Sequence, residues 1–514
     1  MIGSPFTSSP MQRSRRSPWT RRPCGVCTAL LVAGIVVVGP TARAQDARDA
    51  DRTLTLTLPE AVERAQRDGY RAQAARATRD AARQRDRAFV GQQRPQLALS
   101  GNLPVYNRSI IPVLQPDGST IFRPQQQSEA ALNLQVTQRI PGTGGDLFVS
   151  SALSRLDVSG DRTFRTWSST PMLIGLRQDL FRPNRQRWDN REQSLRLEIA
   201  ERAYQEALED VAVQATNAFF DHYTAFVGLQ NATTNVAVND TLYTLNQGRF
   251  EVGRIGENDL LQSELALLRA RNAVAAARLT HDRTLAALRL ALGLPADVAL
   301  RLDPPTTVPA VVIDTTRAVR EALANRAVIA ELDLGDVQAE RRITEARLGN
   351  GPGASLQASI GFNQTGPEAN AVYQDLRQAQ RVALAVQVPV IQWGARSGEV
   401  EAARADRRGQ EFRRSESRER TAQEAHFAAL ELELATRQLA LAAKADTVGS
   451  RRFEVAKNRY VIGRIGMDNL YQAQTEKDAA LQEWLRALRG YWVAYYTVRR
   501  VTMYDFARDV PVGR

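Results

Sequence analysis

Side chains able to act as nucleophiles, general bases or metal ligands are few in this chain and are not grouped. Of the three histidines, His222 and His281 lie on or beside apolar helix seams without a companion four residues away, and the third is His426. This placement favours packing over metal binding. Cys24 and Cys27 have the C-x-x-C spacing of redox and zinc sites, but they lie in a segment that we expect to be removed. Neither H-E-x-x-H nor G-x-S-x-G occurs, so the sequence predicts no enzyme activity and no cofactor.

The glycine-rich run from Pro141 to Gly145 is a second candidate for chemistry, because glycine loops can hold phosphate groups. However, no Lys-Ser/Thr pair follows it and no helix is predicted to begin there. Alternating segments lie on both sides of the run, so it predicts a hairpin turn instead.

The first 44 residues have the features of a targeting segment. A basic region is followed by an apolar core at 29–39 and an Ala-x-Ala cleavage site at 42–44. We expect the mature chain to begin near Gln45. An ordinary secretory signal fits best, and the arginine pairs in the basic region leave a twin-arginine signal as the alternative.

The basic charge does not indicate nucleic-acid binding. The chain has a formal net charge of +12, but six arginines and no acids lie in residues 1–44, so the mature chain has 62 basic and 56 acidic residues and a net charge of +6. In stretches such as 413–420 arginines alternate with acids, which is typical of a solvated helix face. Basic stripes interleaved with aromatic residues are missing from the sequence, so we predict no nucleic-acid partner.

One stretch occurs twice in the chain. Residues 249–262 and 459–472 both contain Gly-Arg-Ile-Gly, preceded by Arg-Phe or Arg-Tyr and followed by Leu and Gln at matching places. Each copy interrupts a long helical pattern with two glycines and restarts it after an Asn/Asp pair, at 258–259 and at 468–469. Glycine accepts the positive φ of a helix end, and Asp or Asn caps the next helix. Each copy therefore predicts the tip of a long helical hairpin in an internally duplicated fold.

Long helical patterns lie on both sides of each tip. Helices are predicted over 58–89, 187–250, 257–292, 315–348, 397–460 and from the second tip to about 496. The apolar residues of the 187–250 helix form two seams with steps of three and four residues, the rhythm of a coiled coil. Two seams mean a neighbouring helix on each side, as in the wall of a ring.

Short alternating segments between the helices predict β-strands. They cover 97–101, 132–137, a segment from about 147, 172–181, 356–362 and 382–388. Residues 104–127 are rich in Pro, Gln and Ser and predict an exposed loop.

The two halves of the chain align, with an insertion in the first. Phe181 and Gly253 correspond to Ile391 and Gly463 with an offset of 210, whereas the first helix and strand need an offset of nearly 260. The first half thus carries roughly fifty extra residues. The predicted organisation is a signal peptide (1–44), a first repeat (45–303) with an extra strand pair near 128–160, a linker (304–310), a second repeat (311–505) and a tail (506–514).

These patterns predict a membrane protein without membrane-spanning helices. The mature sequence has no run of eighteen apolar residues, but its strands alternate as those of a membrane barrel do. Only a closed barrel can span lipid with strands, and four to six strands are too few to close around water. We therefore predict that several copies pool their strands into one β-barrel, continuous with a coiled-coil tube of long helices.

Over about residues 55–505 the chain resembles the TolC-like outer-membrane efflux proteins. The resemblance rests on the duplicated helix–strand–strand–helix–helix plan, the Arg-Phe/Tyr-x-x-Gly tips, and the strand exits at 178–181 and 387–394. It implies an α+β membrane protein that forms a homotrimer, with a twelve-stranded barrel in the outer membrane and a helical tunnel in the periplasm. It also implies a porin-like exit channel for an efflux or type I secretion system, with outer-membrane lipid, a periplasmic adaptor and an inner-membrane transporter as partners.

The resemblance assigns roles to the tip residues. Those expected to contact the adaptor are Arg249, Phe250, Gly253, Arg254 and Gly256 in the first tip and Arg459, Tyr460, Gly463, Arg464 and Gly466 in the second. Those expected at the periplasmic gate are Asp259, Tyr460, Asp468, Asn469 and Gln472, with Asp259 and Tyr460 as a closing pair. Asn469 and Gln472 replace two acids of the family pattern, which puts an acidic ring in question.

An alternative class is a periplasmic adaptor, an interaction protein rather than a channel. Such a chain has one helical hairpin flanked by β-rich domains. The duplicated hairpin and the membrane-type strands argue against it.

Overall fold

The computed structural model describes residues 54–160, 163–305, 307–309 and 311–513. The predicted signal peptide and both cysteines lie outside these ranges. The described chain contains long helical hairpins, one large antiparallel sheet, and two short two-stranded sheets.

The helices repeat exactly in length between the two halves. The first half has helices of 11, 23, 67 and 36 residues: α1 (Leu58–Asp68), α2 (Tyr70–Gln92), α3 (Arg185–Glu251) and α4 (Glu257–Leu292). The second half has the same four lengths: α5 (Thr315–Asn325), α6 (Ala327–Gly349), α7 (Ala395–Val461) and α8 (Met467–Thr502). The duplication read from the tips thus extends to every helix named here.

Two helices predicted to be continuous are broken. The predicted helix 58–89 is interrupted at Gly69, and the predicted helix 315–348 is interrupted at Arg326. Both residues have extended backbone, with φ near −61° and −70°. At Gly69 a side chain would meet the carbonyl oxygen of Ala291 at 2.9 Å, so the end of α4 approaches the break too closely for a larger residue.

The large sheet has six strands in the order β2-β3-β4-β5-β7-β8, all antiparallel to their neighbours. Its strands are β2 (Gln96–Leu114), β3 (Thr120–Ile140), β4 (Gly145–Ser159), β5 (Phe164–Leu180), β7 (Gly353–Gly366) and β8 (Arg377–Gln387). The turn predicted at Pro141–Gly145 joins β3 to β4, as expected.

The loop predicted over 104–127 is wrong. Apart from the turn at 115–119, these residues extend β2 and β3 into a long hairpin. Proline is tolerated there because β2 is an edge strand and because Pro104 lies at a bulge between Asn102 and Val105. Pro124 lies where β3 pairs with β2 alone, since its pairing with β4 begins at Gln126.

The inserted segment is located by the helix offsets. Equivalent helices are 257 residues apart before the sheet (Tyr70 and Ala327) and 210 residues apart after it (Arg185 and Ala395). The first half therefore carries 47 extra residues between α2 and α3. They account for one additional hairpin, because the first half supplies four strands of the sheet and the second half two. Counted back from α3 at the offset of 210, β4 and β5 correspond to β7 and β8, so we take β2–β3, at the edge of the sheet, as the inserted hairpin, whereas the extra strand pair was predicted near 128–160.

Two short β-pairs were not predicted. β1 (Leu54–Thr57) pairs in parallel with β6 (Leu300–Asp303), and β9 (Tyr504–Asp505) pairs with β10 (Val510–Pro511). The second pair folds the predicted tail back onto the end of α8. Residues 306 and 310 of the predicted linker lie outside the described ranges, while Pro309 accepts a hydrogen bond of 2.6 Å from the Tyr491 hydroxyl.

The main apolar core lies where α1, α3, α4, α7 and α8 meet. Its most completely buried members include Leu58, Phe219, Phe220, Leu288 and Tyr491. The predicted coiled-coil seams supply much of it, since alanines and leucines at steps of three and four along α3 and α7 are buried there.

A buried ionic cluster joins this core to the C-terminal residues. Arg499 donates a hydrogen bond of 3.0 Å to Glu209 and lies 3.5 Å from Asp505, and both carboxylates are at most 3% exposed. The Tyr495 hydroxyl donates to Asp505 at 3.1 Å. Burial raises the pKa of Glu209, and the charge of Arg499 opposes that rise.

Candidate functional site: paired helical tips and an amphipathic sheet

The two helical tips have the same backbone geometry. In the first tip the N–H of Gly253 donates to the carbonyl of Phe250 at 2.9 Å, and the N–H of Arg254 donates to that of Arg249 at 2.8 Å. In the second tip the equivalent residues make the same two bonds, both at 2.9 Å. The glycines have φ of +69° and +73°. Each long helix thus ends in a Schellman motif that requires positive φ at Gly253 and Gly463, as predicted.

The start of each return helix differs from the prediction. Asp or Asn was expected to cap it, but the cap positions are Gly256 and Gly466, with no side-chain cap. The Asn/Asp pairs lie in the first helical turn instead. There Asp259 and Asp468 face the positive end of the helix dipole, which favours a carboxylate without a capping hydrogen bond.

The tip glycines are exposed and have open space around them. No atom lies within 4 Å of the position that a side chain would take at Gly253, Gly256, Gly463 or Gly466. Gly256 and Gly466 have ordinary negative φ, near −79° and −78°. Their glycines are therefore not required by close contacts within the subunit.

Arg249 links the two tips. It donates to the carbonyl of Val461 at 2.9 Å, and its guanidinium lies 5.3 Å from the ring centre of Tyr460. Gln262 donates to Asp468 at 2.7 Å across the same interface. These contacts hold the first tip against the second, so the tips form one surface at this end of the subunit.

Tyr460 lies inside the tip. It is 5% exposed and packs with Leu242, Phe453 and Leu470. Its hydroxyl donates to Asn246 at 2.6 Å, not to Asp259, the partner implied by the resemblance. Within the described ranges the Asp259 side chain makes no hydrogen bond or ion pair, so the structure does not join this predicted pair within one subunit.

The remaining predicted gate residues are exposed. Gln472 donates to Glu476 at 3.1 Å along α8. Asn469 lines a cavity of about 520 Å³ together with Arg452 and Arg459. Three arginines and this one amide share the lining with apolar residues such as Val455 and Ile465.

Sequence analysis missed a buried polar cluster behind the tip. Asn239 and Asn246 are both at most 4% exposed, and one amide atom of each has no hydrogen-bond partner among the described residues. The hydroxyl of Tyr471 also has none, and burial raises the pKa of this residue to about 12. The seven-residue spacing of the two asparagines, with Leu242 between them, was the available signal of polar residues in a coiled-coil seam.

His222 and His281 are packed, as predicted, whereas His426 is exposed. His222 is 3% exposed, its Nδ1 lies 3.3 Å from the Thr284 hydroxyl, and its ring centre lies 4.9 Å from that of His281. Burial, together with the nearby charges of His281 and Arg289, lowers the pKa of His222 to about 4. Nowhere in the described ranges do three or more His, Cys, Asp or Glu residues form a group that could hold a metal ion.

The first face of the large sheet, here called the apolar face, carries an unbroken apolar row. Through direct strand pairing, Leu97, Val136, Val149, Ile174 and Ile360 follow one another across five strands. These side chains project from the sheet to the exterior of the subunit; Leu97 is 67% exposed and Ile360 is 50% exposed.

The opposite face, here called the polar face, carries mostly polar and small residues. The row next to the apolar one contains Gln96, Thr137, Phe148, Gly175, Ser359 and Arg381. A cavity of about 1020 Å³ opens on this face where the sheet meets the helices. It is lined by Asp146, Asp179, Ser355, Arg185, Asp189 and Glu345, among others.

Among the described residues, no helix combines the length and the apolar character needed to cross a membrane.

Comparison with known proteins agrees with this architecture. The sequence pattern of a family described as "Outer membrane efflux protein" matches residues 124–294. Protein CyaE of Bordetella pertussis is 26% identical over 217 residues, which is 42% of this chain and 45% of CyaE. The matched segment therefore spans less than half of that relative.

Solved structures with the same fold are outer-membrane proteins. The outer membrane channel CmeC of Campylobacter jejuni covers 89% of this chain with 87% of its own, at 15% identity and a TM-score of 0.65. The outer membrane protein VceC of Vibrio cholerae covers 87% with 95% of its own, at 13% identity and a TM-score of 0.62. The open-state outer membrane channel MtrE of Neisseria gonorrhoeae covers 88% with 90% of its own, at 14% identity and a TM-score of 0.60.

The predicted resemblance to TolC-like outer-membrane efflux proteins is confirmed. The TolC-like fold accounts for the sheet continuous with long helices, and the family match confirms the predicted outer-membrane location. Because the family consists of efflux proteins, the prediction that the chain is not an enzyme is also confirmed.

Proposed function

We propose that the chain is the outer-membrane exit duct of a tripartite efflux or type I secretion system. In this proposal three copies form a porin-like channel that conducts substrates passively from an inner-membrane transporter and a periplasmic adaptor to the exterior. In this proposal the chemistry that drives transport belongs to the partner, and the described residues contain no group that could hold a metal ion.

The observation that carries the proposal is the two-faced sheet with unpaired edges. Leucine, valine and isoleucine face outward across five strands, while the opposite face is polar and borders a cavity. In lipid, an open edge leaves backbone N–H and C=O groups unsatisfied, at a cost of several kcal/mol each. Closing the sheet with further copies removes the edges, exposes the apolar face to lipid and encloses the polar face.

The helices supply the reach of a duct. A helix of 67 residues, such as α3 or α7, is about 100 Å long at roughly 1.5 Å per residue. This length carries the tips far from the membrane, where an adaptor can meet them.

The tips are our proposed adaptor contact. The proposed contact residues are Arg249, Phe250, Gly253, Arg254 and Gly256 of the first tip and Arg459, Tyr460, Gly463, Arg464 and Gly466 of the second. Of these, Tyr460 is buried and would support the surface from within. The open space around the glycines supports this role, because a partner can approach the bare backbone closely.

The same end of the subunit is our proposed periplasmic gate, formed by Asp259, Tyr460, Asp468, Asn469 and Gln472. At the tips, the second hairpin is held against the first by bonds from Tyr460 to Asn246, from Arg249 to Val461 and from Gln262 to Asp468. We propose that opening breaks these bonds.

The adaptor reading is not supported by any specific feature. An adaptor needs one helical hairpin, whereas this chain has two tips with the same hydrogen bonds and an outward apolar sheet.

Membrane fractionation tests the duct. We expect the mature protein in the outer membrane, released only by detergent, with the mass of a trimer by multi-angle light scattering. A water-soluble monomer would refute the proposal.

Two glycine substitutions test the adaptor contact. Gly256→Ser and Gly466→Ser add small side chains in open space, and serine caps a helix at least as well as glycine. The melting temperature should stay unchanged while export and adaptor crosslinking fall. Gly91→Ser is the control, because it also adds a side chain in open space, but on α2 away from the tips. Full adaptor crosslinking in the tip variants would contradict the role.

A further inference from the structure

We propose that the inserted hairpin, β2–β3, is part of the barrel wall, so that each subunit contributes six strands and the β2 edge of one copy pairs with the β8 edge of the next. Three copies then form an eighteen-stranded barrel, in place of the twelve strands implied by the family resemblance. The inference rests on the proposed function and specifies how the copies join.

The first argument is the continuity of the sheet. β3 pairs with β4 over its whole length from Gly145 to Ser159, so the inserted hairpin extends the same sheet sideways. The apolar row passes through it, because Leu97 of β2 and Val136 of β3 lie in line with Val149 of β4. The hairpin therefore has the same outward face as the other strands.

The second argument is the height of the apolar region. On β4 it runs from Gly145, at the end nearest the helices, to the charged residue Arg155, which pairs with Asp157. Ten residues at about 3.3 Å, tilted by about 40°, give a height of about 25 Å, which matches the apolar band of membrane barrels. On β2 the region likewise begins at Gln96 and ends near Tyr106. The inserted hairpin thus fits the same thickness of lipid.

The third argument is the stagger of the strands. β2 begins at Gln96, next to the helices, and direct strand pairing leads from Gln96 across five interstrand steps to Arg381 of β8. β8 ends next to the helices at Gln387, so Arg381 lies six residues further from the helices than that end. Six residues of about 3.3 Å over five interstrand steps of about 4.8 Å correspond to a tilt of about 40°. Membrane barrels tilt their strands by about 35–45°. The six-stranded sheet therefore has the stagger needed for closure with all strand ends at one level.

The fourth argument is the state of the two edges. β2 and β8 each lack a partner on one side in the subunit. Outward apolar residues on them are 60–77% exposed, for example Leu99 at 71% and Val382 at 77%, whereas those on β4 and β5, such as Val149 and Ile174, are 37–45% exposed. β2 runs away from the helices and β8 runs towards them, so edge-to-edge pairing between copies is antiparallel, like every other pair in the sheet.

The consequence is a wider pore. Because barrel diameter grows roughly linearly with strand number, eighteen strands give a diameter about one and a half times that of twelve at the same tilt. Barrels of 16–18 strands leave an open aqueous channel.

Cysteine crosslinking in the full chain, with Cys24 and Cys27 changed to serine, tests the edge pairing. Ser100→Cys on β2 and Ala383→Cys on β8 both lie on the polar face, four residues above Gln96 and Gln387. The matched control combines Ala383→Cys with Ala152→Cys on β4, which lies in the same row as Ser100, two strands further in. Outer membranes are treated with a short bismaleimide and the products are separated in denaturing gels.

We expect covalent dimers and trimers from the Ser100/Ala383 pair and only monomers from the Ala152/Ala383 pair. Crosslinks from Ala152 instead of Ser100 would overturn the inference, since they would mean that four strands per copy form the wall and the hairpin lies outside. A detergent-extracted trimer without Ser100 crosslinks would also overturn it while leaving the proposed duct intact. A water-soluble monomer would overturn both.

Discussion

The two halves of the molecule share their helices but not their strands. Each half has helices of 11, 23, 67 and 36 residues, yet the first half supplies four strands of the sheet and the second supplies two. An insertion between α2 and α3 left the helical lengths untouched. Packing constrains the helical part along its whole length. An antiparallel sheet accepts an extra hairpin at little cost if the new strands have the same apolar and polar faces and the same strand offset as their neighbours.

The halves also differ at equivalent side chains. Arg289 and Arg499 occupy the same place on α4 and α8, but Arg289 donates to the carbonyl of Val298, whereas Arg499 lies between two buried carboxylates. Phe250 is 40% exposed, whereas its counterpart Tyr460 is buried and hydrogen-bonded. The second half thus supplies the buried polar partners at both ends of the helical region.

Replacing the two equivalent arginines should have the largest effect. Arg499→Met leaves Glu209 buried without a counter-charge and leaves Asp505 with only the exposed Arg508 at 4.0 Å, and we expect a loss of about 3–5 kcal/mol in unfolding free energy. The control Arg289→Met removes only bonds to a carbonyl and should cost about 1 kcal/mol. Urea unfolding in detergent measures both. Equal losses would contradict the asymmetry between the halves.

Low pH should destabilise the first half through protonation of His222. The equivalent residue in the second half is Leu432, which does not titrate. The pKa of His222 is lowered to about 4, below the ordinary value near 6.5, so the unfolded chain binds the proton more readily than the folded one. Stability from this group is present above about pH 6.5 and is lost as the pH falls towards 4. The expected loss is about 2 kcal/mol at pH 5.

The variant His222→Leu gives the first half the residue of the second and should remove this part of the pH dependence. The exposed His426→Leu is the control and should leave it unchanged. Urea unfolding at pH 8 and pH 5 makes the comparison. An unchanged pH dependence in His222→Leu would show that other groups cause the acid sensitivity.

Exchanging the aromatic residues of the two tips should have a smaller effect. Tyr460→Phe removes the bond to Asn246 and leaves that amide buried without a partner, at an expected cost of about 1–2 kcal/mol. If these bonds close the gate, conductance in planar bilayers rises as well. Phe250→Tyr adds a hydroxyl at an exposed position and should change neither quantity. Wild-type stability and conductance in Tyr460→Phe would show that the bond from Tyr460 to Asn246 does not hold the tips together.

Sequence periodicity predicted the long helices well, because their seams, glycine ends and proline stops are local signals. The bounds of α3 and α7 lie within two residues of those predicted, and α4 matches 257–292. The breaks at Gly69 and Arg326 were missed, since the first depends on how closely α4 approaches and no pattern in the chain encodes that contact.

The sheet and the tip contacts were harder to predict. Strand segments with one apolar face alternate clearly, but beyond the apolar region both faces are polar and the same strand resembles a loop, as in 104–127. The partner of Tyr460 depends on which turn of α3 packs against α7. A spacing within one helix, such as that of Asn239 and Asn246, suggests a polar seam without identifying what lies opposite.

The parallel pairing of β1 with β6 has a consequence for the order of assembly. Leu54–Thr57 begins the described chain, yet its only strand partner there is Leu300–Asp303. The first repeat can therefore close on itself as soon as residue 303 is available, before the second repeat is complete. A half-finished chain would then already have one closed unit, against which the second half could fold as it arrives.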